Sequence, residues 1–299
     1  MSTYHNPVLL TESISGLNIN PNGIYVDVTF GGGGHSREIM KQLIDGRLVA
    51  FDQDEDAKQN LIEDDRFTFI NSNFSRLSSF LKFYQAFPCD GILADLGVSS
   101  HQFDVPERGF SIRFDGPLDL RMDTRKGMNA ADYIAMAEEQ EIASVLFKYG
   151  ELPTSRKIAK MIVNARKNSS IQTVFELKQV LSSIAPRGKE NSFYARVFQA
   201  LRIEINHEMD VLSEFLIQAV DCLKPGGRLV VISYHSLEDR LVKNIIKSGN
   251  IEGVIEKDFY GNMLTPLNAI TRKPCLPCEK EISENPRARS AKLRIAEKK

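Results

Sequence analysis

The sequence predicts an α/β fold in which a sheet of mainly parallel strands is interrupted by a long helical insertion. Three observations predict it. The first hundred residues alternate short apolar runs with helical stretches, the strand pattern vanishes from Phe103 to Ala200, and it returns at Arg228–Ser233. The chain has 299 residues, of which 42% are hydrophobic, and this suffices for one large domain or two modest ones.

The first part of the sheet is predicted from short apolar runs of the kind that form buried parallel strands. These runs are Ile24–Phe30, Arg47–Phe51, Phe67–Ile70 and Gly91–Leu96. A helix is expected at Ser36–Ile44, between the first two strands. Residues 1–102 are therefore expected to form the first part of one domain.

Residues 103–200 are predicted to be an inserted helical domain, because each stretch carries helix punctuation instead of strand alternation. Thr173 and Glu176 form a candidate capping box, and Gly150 stands just past a helix expected from about Glu138 to Tyr149.

Residues 201–299 are expected to complete the sheet. Pro225-Gly226-Gly227 is predicted to close a long amphipathic helix before the strand Arg228–Ser233, and edge strands are expected after Met263.

Charge is distributed unevenly, although the formal net charge is only −1. Ten Lys or Arg stand against two Glu between Pro153 and Arg202, and six against two in the last sixteen residues. Such segments either face nucleic-acid phosphates or form solvated helix faces, and both readings stay open.

No stretch approaches 18 consecutive apolar residues, and Met1–Leu10 lacks the features of a signal peptide. Four scattered cysteines are too few for a disulfide framework. We therefore expect a cytoplasmic protein with reduced thiols and no membrane partner.

A glycine-rich loop, Gly31–Gly34, follows the first predicted strand directly and precedes a helix. Glycine lets the backbone approach a ligand closely at the carboxyl end of a strand. Asp52 ends the second strand, 25 residues beyond Asp27, close to the spacing of a carboxylate that binds ribose hydroxyls.

Three cofactor classes compete for this loop. A P-loop is excluded because no Gly-Lys-Ser/Thr follows the glycines, and a dinucleotide is disfavoured because Ser36 stands where the third glycine belongs. Asp27 suits a ligand that carries a sulfonium and an ammonium group. S-adenosylmethionine fits best, with an NAD-dependent oxidoreductase as the rival enzyme class.

Two more side chains are expected at the same edge. Phe74 follows the third strand, where it either packs on adenine or belongs to the core, and Asp95 ends the fourth strand. An unpaired carboxylate in so apolar a run would be costly, which favours a functional role for Asp95.

Eight motifs, taken in order, resemble the bacterial MraW/RsmH methyltransferases, which modify cytosine N4 in the decoding region of small-subunit ribosomal RNA. The resemblance spans nearly the whole chain. The motifs are His5–Leu10, Asp27–His35, Asp95–Ser100, Glu107–Ser111, Asp115–Met122, Phe198–Ile203, His235–Arg240 and Asn285–Ser290.

The resemblance implies a Rossmann-like class I methyltransferase sheet with an inserted all-helical domain that recognises RNA. It implies 16S rRNA within the small ribosomal subunit as the partner, and leaves a homodimer open. The S-adenosylmethionine contacts that it implies are Gly33, Gly34, His35, Asp52, Phe74, Asp95 and Gln102.

One local departure from the family is the pair Cys275 and Cys278. A single CxxC supplies at most two zinc ligands, so no metal site is predicted.

The expected chemistry requires help for cytosine N4, whose lone pair is delocalised into the ring. Asp95, or a backbone carbonyl in Asp95–Val98, is predicted to accept a hydrogen bond from the amine, while the resemblance also makes Asp95 a cofactor contact. The segment Asp95–Val98 ends in valine, so it supplies no aromatic ring on which the base could stack. Another residue must therefore hold the base. Phe110 and His235 are the candidates, against core packing and helix capping respectively.

A non-enzymatic alternative also remains: an assembly factor that binds ribosomal RNA without chemistry.

Overall fold

The computed structural model describes residues 7–299, so His5 and Asn6 of the first motif lie outside it. The chain forms two compact units. The sheet unit comprises the described residues up to Gly97 together with Met209–Lys299, and the helical unit is Val98–Glu208. The boundaries expected after residues 102 and 200 both fall inside continuous helices, α4 (Ser100–Asp104) and α9 (Glu190–Ile205). The units divide instead after Gly97 and after Glu208.

The sheet unit has an α/β, Rossmann-like architecture, as predicted. Its strands follow the order β3-β2-β1-β4-β5-β7-β6. The pairs among β1 to β5 are parallel, whereas β7 runs antiparallel to both β5 and β6. The strands are β1 Ile24–Asp27, β2 Arg47–Phe51, β3 Phe67–Ile70, β4 Cys89–Asp95, β5 Leu223–Ser233, β6 Leu267–Ala269 and β7 Lys292–Lys298.

Two of the early strands, β2 and β3, have the predicted bounds. The first is shorter than predicted, because beyond Asp27 its pairing ends and only single bonds continue, from Val28 N to Leu93 O and from Phe30 N to Phe51 O.

The prediction for Pro225-Gly226-Gly227 is wrong. Helix α10 (Glu208–Cys222) ends earlier, and Leu223 already pairs with Cys89 on β4. The Pro-Gly-Gly run lies inside β5, where the register shifts between Cys89 and Gly91. Proline and glycine are found in strands at such irregularities. Of the strands expected after Met263, β6 lies at the edge of the sheet and β7 lies inside it.

Alternate residues of the strands build two cores, one on each face of the sheet. Val26 and Val49 face one core, which also receives side chains from α3 (Leu77–Phe83), α10 and α11 (Ser236–Ser248). Their neighbours Tyr25 and Leu48 face the other core, which is covered by α1 (Leu10–Leu17) and α2 (Gly34–Gln42). A short helix, α12 (Glu279–Glu284), precedes β7.

The helical unit contains no strand, apart from an isolated bridge between Pro117 and Thr173. The predicted capping box of Thr173 and Glu176 is present, and α6 ends just before Gly150. Besides α4 and α9, its helices are α5 Ala130–Met136, α6 Glu139–Lys148, α7 Ser155–Arg166 and α8 Val174–Leu181.

Within residues 7–299, no helix combines the length and the apolar character that crossing a membrane would require.

Candidate active site

The strand order reverses between β1 and β4. From β1 the chain builds outward through β2 to β3, and it then crosses back to place β4 on the other side of β1. In open α/β sheets, ligands bind at the carboxyl ends of the strands at such a reversal. We call the residues that follow β1, β2, β4 and β5 the carboxyl edge.

Of Gly32, Gly33 and Gly34 in the glycine loop, Gly32 offers the open position at this edge. A Cβ on Gly33, whose φ is +74°, would lie 2.9 Å from the Phe30 ring, and one on Gly34 would collide with the Pro7 ring. A Cβ on Gly32 would have no atom within 4 Å. Gly33 and Gly34 can therefore approach a ligand only through their backbone, whereas Gly32 faces open space.

Asp52 ties the glycine loop to the end of β2. Its Oδ2 accepts from Gly31 N at 2.7 Å, and its Oδ1 accepts from Asp54 N at 2.8 Å. Burial raises the pKa of Asp52 to about 7, against these two hydrogen bonds. Each oxygen keeps a second lone pair for another donor.

Asp27 is sealed beneath the loop, with 1% of its surface exposed. It accepts from Ser36 Oγ at 2.7 Å and from Thr29 N at 3.0 Å, which joins the first turn of α2 to the end of β1. Burial raises the pKa of Asp27, while nearby His35 opposes the rise. The charge of Asp27 can reach the edge through space, but its carboxylate is not open to direct contact.

Asp95 lies at the end of β4 and meets Tyr234, which follows β5. The Tyr234 hydroxyl donates to Asp95 Oδ1 at 2.7 Å, and Asp95 N donates to Thr29 Oγ1 at 2.7 Å. Burial raises the pKa of Asp95 to about 6, although His35 and Tyr234 lower it. Sequence reasoning missed Tyr234, although its place directly after a strand at this edge was a usable signal.

His35 is buried on α2 with its two ring nitrogens facing different partners. Nε2 lies 3.2 Å from Val8 O, where an N–H would donate, and Nδ1 lies 3.9 Å from Asp95 Oδ2. This orientation directs the second nitrogen to the carboxylate. His35 and Asp95, two of the predicted cofactor residues, are thus brought together.

Phe74 and His235 have clear structural contacts. Phe74 is half-buried and packs edge-on against Phe215, with 5.2 Å between the ring centroids. His235 caps α11: Nδ1 accepts from Glu238 N at 3.4 Å, and Nε2 lies 3.1 Å from Glu238 Oε1. Both contacts match the structural alternatives that the sequence left open.

Gln102 and Phe110 belong to the helical unit and are both buried. Gln102 forms a capping box with Ser99, whose backbone N donates to its Oε1 at 3.1 Å. The Arg108 guanidinium lies 5.9 Å from the Phe110 ring centroid.

The two unusual cysteines are free thiols in the sheet unit. Cys278 caps α12, with its Sγ accepting from Glu281 N, and Cys275 is half-buried.

Comparison with known proteins places these features in a family. Residues 2–299 match the family model described as the MraW methylase family. A protein of Bacteroides thetaiotaomicron is 57% identical over 298 residues, which cover 99% of this chain and 98% of that one. A Flavobacterium johnsoniae protein is 57% identical over 296 residues, with 99% and 98% coverage. Both are named ribosomal RNA small subunit methyltransferase H.

The resemblance inferred from the eight motifs is thereby confirmed. Since the family model matches all but one residue of the chain, and relatives more than half identical match over 98% of their own length, the chain belongs to the MraW methylase family.

Proposed function

We propose that the protein transfers a methyl group from S-adenosylmethionine to the N4 amino group of a cytidine in the decoding region of 16S rRNA, within the small ribosomal subunit. The observation that carries the proposal is the full-length match to relatives named as small-subunit ribosomal RNA methyltransferases. The finer assignment to cytosine N4 is supported by Asp95, a carboxylate acceptor at the carboxyl edge.

The carboxyl edge fits S-adenosylmethionine in charge and in space. Three acids, Asp27, Asp52 and Asp95, surround the ends of β1, β2 and β4, which suits a ligand with a sulfonium and an ammonium group. The open space at Gly32 is a cradle that a larger side chain would fill. Asp52 would accept from the ribose hydroxyls, and Phe74 would pack on adenine.

The remaining predicted donor contacts stay part of the proposal. His35 lies beside the carboxylate of Asp95, with Nδ1 3.9 Å from Oδ2, while Gly33 and Gly34 offer their backbone. Gln102 would contact the donor from the start of α4.

When bound, S-adenosylmethionine supplies an electrophilic methyl group. The N4 lone pair forms the new N–C bond, the S–C bonding pair stays on sulfur, and one N4 proton leaves. Asp95 accepts a hydrogen bond from the amine, which draws the lone pair back from the ring, and it can take the departing proton. Alignment of the amine with the methyl group provides much of the remaining rate.

The cytosine ring would be held by Phe110 or His235. Stacking on Phe110 requires its ring, now 5% exposed, to become uncovered, whereas His235 would have to give up part of its capping contact. The helical unit, with its excess of Lys and Arg, would bind the surrounding RNA.

The experiment that tests the reaction uses small subunits from cells that lack this methyltransferase, with naked 16S rRNA as the comparison. Radiolabelled methyl groups from S-adenosylmethionine should appear in N4-methylcytidine after digestion to nucleosides. Label in a different nucleoside contradicts the assignment to cytosine. A folded protein that binds the subunit but transfers no label is an assembly factor, and calorimetric binding of NAD instead of S-adenosylmethionine would indicate an oxidoreductase.

Asp95→Ala should abolish methyl transfer, by at least about 100-fold, because general base help and amine alignment are both lost. Circular dichroism should show a folded protein. Asp64→Ala is the matched control, since Asp64 pairs with Arg66 just before the amino end of β3, away from the carboxyl ends of the strands. Near-normal turnover by the Asp95 variant contradicts its catalytic role.

A further inference from the structure

We infer that Tyr234 is a positioning residue that orients the Asp95 carboxylate for the amine, without contacting the base itself. This inference rests on the role proposed above for Asp95. Tyr234 is not among the residues predicted to contact the donor or the base. It connects the ends of β4 and β5, two strands that are far apart in sequence.

The strand pairing brings the two residues together. Asp95 pairs with Ile232 in the parallel register of β4 and β5, so Tyr234 stands just past the end of the pair. Its ring turns back across the end of β4, and its hydroxyl reaches Asp95 Oδ1 at 2.7 Å. Gly97, with φ of +93°, turns the chain away beside the ring, where its Cβ position lies 3.6 Å from Cδ2 of Tyr234.

Both partners are anchored through their backbones. Tyr234 N donates to Glu238 Oε2 at 2.7 Å, and Glu238 is itself buried in the capping box at the start of α11. On the other side, Asp95 N is held by Thr29 Oγ1. Because the backbones of both residues are held by these hydrogen bonds, the hydroxyl fixes the rotation of the Asp95 carboxylate. It engages Oδ1, while Oδ2 lies on the His35 side.

The hydroxyl also favours the ionised form of the carboxylate. The groups that face Asp95 are the Tyr234 hydroxyl after β5, His35 on α2, Asp27 on β1 and Glu238 on α11. Burial and both acids raise the pKa of Asp95, whereas His35 and Tyr234 lower it. Burial also raises the pKa of Tyr234 above its usual value, so the phenol stays protonated and remains a donor.

Tyr234→Phe keeps the ring and removes the hydrogen bond. The acid limb of the kcat profile should move up by about 1 pH unit, the size of one hydrogen bond to a charged group. At about pH 9 the kcat of the variant should stay about threefold or more below that of the wild type, because Asp95 is then ionised in both proteins but its carboxylate is no longer held in one rotation. In the Asp95→Asn background, Tyr234→Phe should cause no further shift.

A second readout needs no donor and no RNA. Removal of the hydroxyl leaves Asp95 with a still higher pKa in the folded state, so the variant loses stability relative to the wild type as pH rises from about 5 to about 8. The gap between their melting temperatures should widen over that range. Tyr25→Phe is the matched control: its buried hydroxyl accepts from Asn20 N at 2.7 Å, so its loss should lower stability without moving the acid limb.

Each outcome is decisive. An unmoved acid limb with a constant melting gap overturns the positioning role, and so does a full return of turnover to the wild-type value at about pH 9. If Asp95→Asn itself turns over normally, the proposed function of Asp95 fails, and this result is distinguishable from failure of the Tyr234 inference alone.

Discussion

Single acidic residues give the carboxyl edge its chemical character. Burial raises the pKa values of Asp27, Asp52 and Asp95, and the charge of Asp27 raises the pKa values of Asp52 and Asp95 further. Among the described groups that set the pKa values of Asp27 and Asp95, His35 is the only potential cation. Its charge lowers both pKa values. Ionisation of these three acids is therefore electrostatically unfavourable, and a positively charged ligand would relieve that cost.

The pH dependence of stability tests this at Asp52. Its pKa of about 7 in the folded state exceeds that in the unfolded chain, so its stabilising contribution is complete below about pH 4 and is lost as pH rises towards 7. Asp52→Asn cannot titrate. The melting temperature of this variant, relative to the wild type, should therefore rise between about pH 4 and about pH 7, as measured by thermal unfolding without donor.

Asp64→Asn is the control of opposite sign. Its hydrogen bonds with Arg66 lower the pKa of Asp64 to about 2, so its contribution is present above about pH 4 and is lost below it. Relative to the wild type, this variant should show a flat melting difference from about pH 5 to about pH 7. A flat difference for Asp52→Asn as well would mean that Asp52 has an ordinary pKa.

At the scale of elements, substitutions at two glycines of the loop between β1 and α2 should separate effects on ligand binding from effects on stability. Gly32→Ala adds a methyl group where no protein atom lies within 4 Å, so the melting temperature should stay within about 1 °C of the wild type. The same methyl group would enter the space proposed for S-adenosylmethionine. Calorimetry should show affinity reduced by about tenfold or more.

Gly33→Ala provides the contrast within the same loop. Gly33 caps α2 with a φ of +74°, and the new Cβ would approach Phe30, so about 1–2 kcal/mol of stability should be lost. Unchanged affinity in a folded Gly32→Ala protein would assign the open space to solvent and move the donor elsewhere.

How well the elements could be predicted depended on whether their limits are local. β2 and β3 are short apolar runs between polar residues, and their bounds follow from that pattern alone. The end of β1 and the start of β5 depend instead on how far the neighbouring strands pair with them. The local sequence at Val28–Phe30 and at Pro225–Gly227 does not indicate these limits.

The same distinction holds for the site. Asp52 and Asp95 could be placed at one edge because parallel strands end together. Tyr234 could not be paired with Asp95 from sequence, since their contact spans 139 residues and depends on β4 lying beside β5. The capping hydrogen bonds of His235 and Gln102 are local in sequence. Helix capping is among the roles expected from the sequence for His235 but not for Gln102.

Over the whole molecule, the count of basic residues overstates the charge available to RNA. Four of the ten between residues 153 and 202 are used within the helical unit. Arg166, Lys178 and Arg196 donate to backbone carbonyls, and Arg202 pairs with Glu208 at 2.8 Å. These four therefore stabilise the unit itself.

The remaining cations include a stripe along α7, which we define as Arg156 and Lys160 on the helix and Lys167 at its C-cap. Spacings of four and seven residues place them on one face of the helix, and all three are exposed. α7 contains no acidic residue. Within residues 7–299, none of the three has an acidic partner at ion-pair distance. An unneutralised stripe of this kind suits a row of phosphates.

Replacement of all three stripe residues by Gln should weaken binding to 16S rRNA and flatten its salt dependence. Each lost phosphate contact removes about 0.7 to 0.9 from the slope of log K against log salt concentration, so the slope should fall by about 2 to 3. Binding would be measured by filter retention at several salt concentrations. Affinity for S-adenosylmethionine should be unchanged, because no stripe residue belongs to the carboxyl edge.

Lys41→Gln with Lys58→Gln is the matched control, since these exposed lysines already pair with Glu38 at 2.5 Å and Glu55 at 2.7 Å. A paired lysine releases few counterions, so this variant should keep the wild-type slope. If the stripe variant also keeps it, α7 is an ordinary solvated face. The phosphate contacts would then have to come from the remaining exposed cations, such as Arg187 and Lys189, or from the basic C-terminal segment.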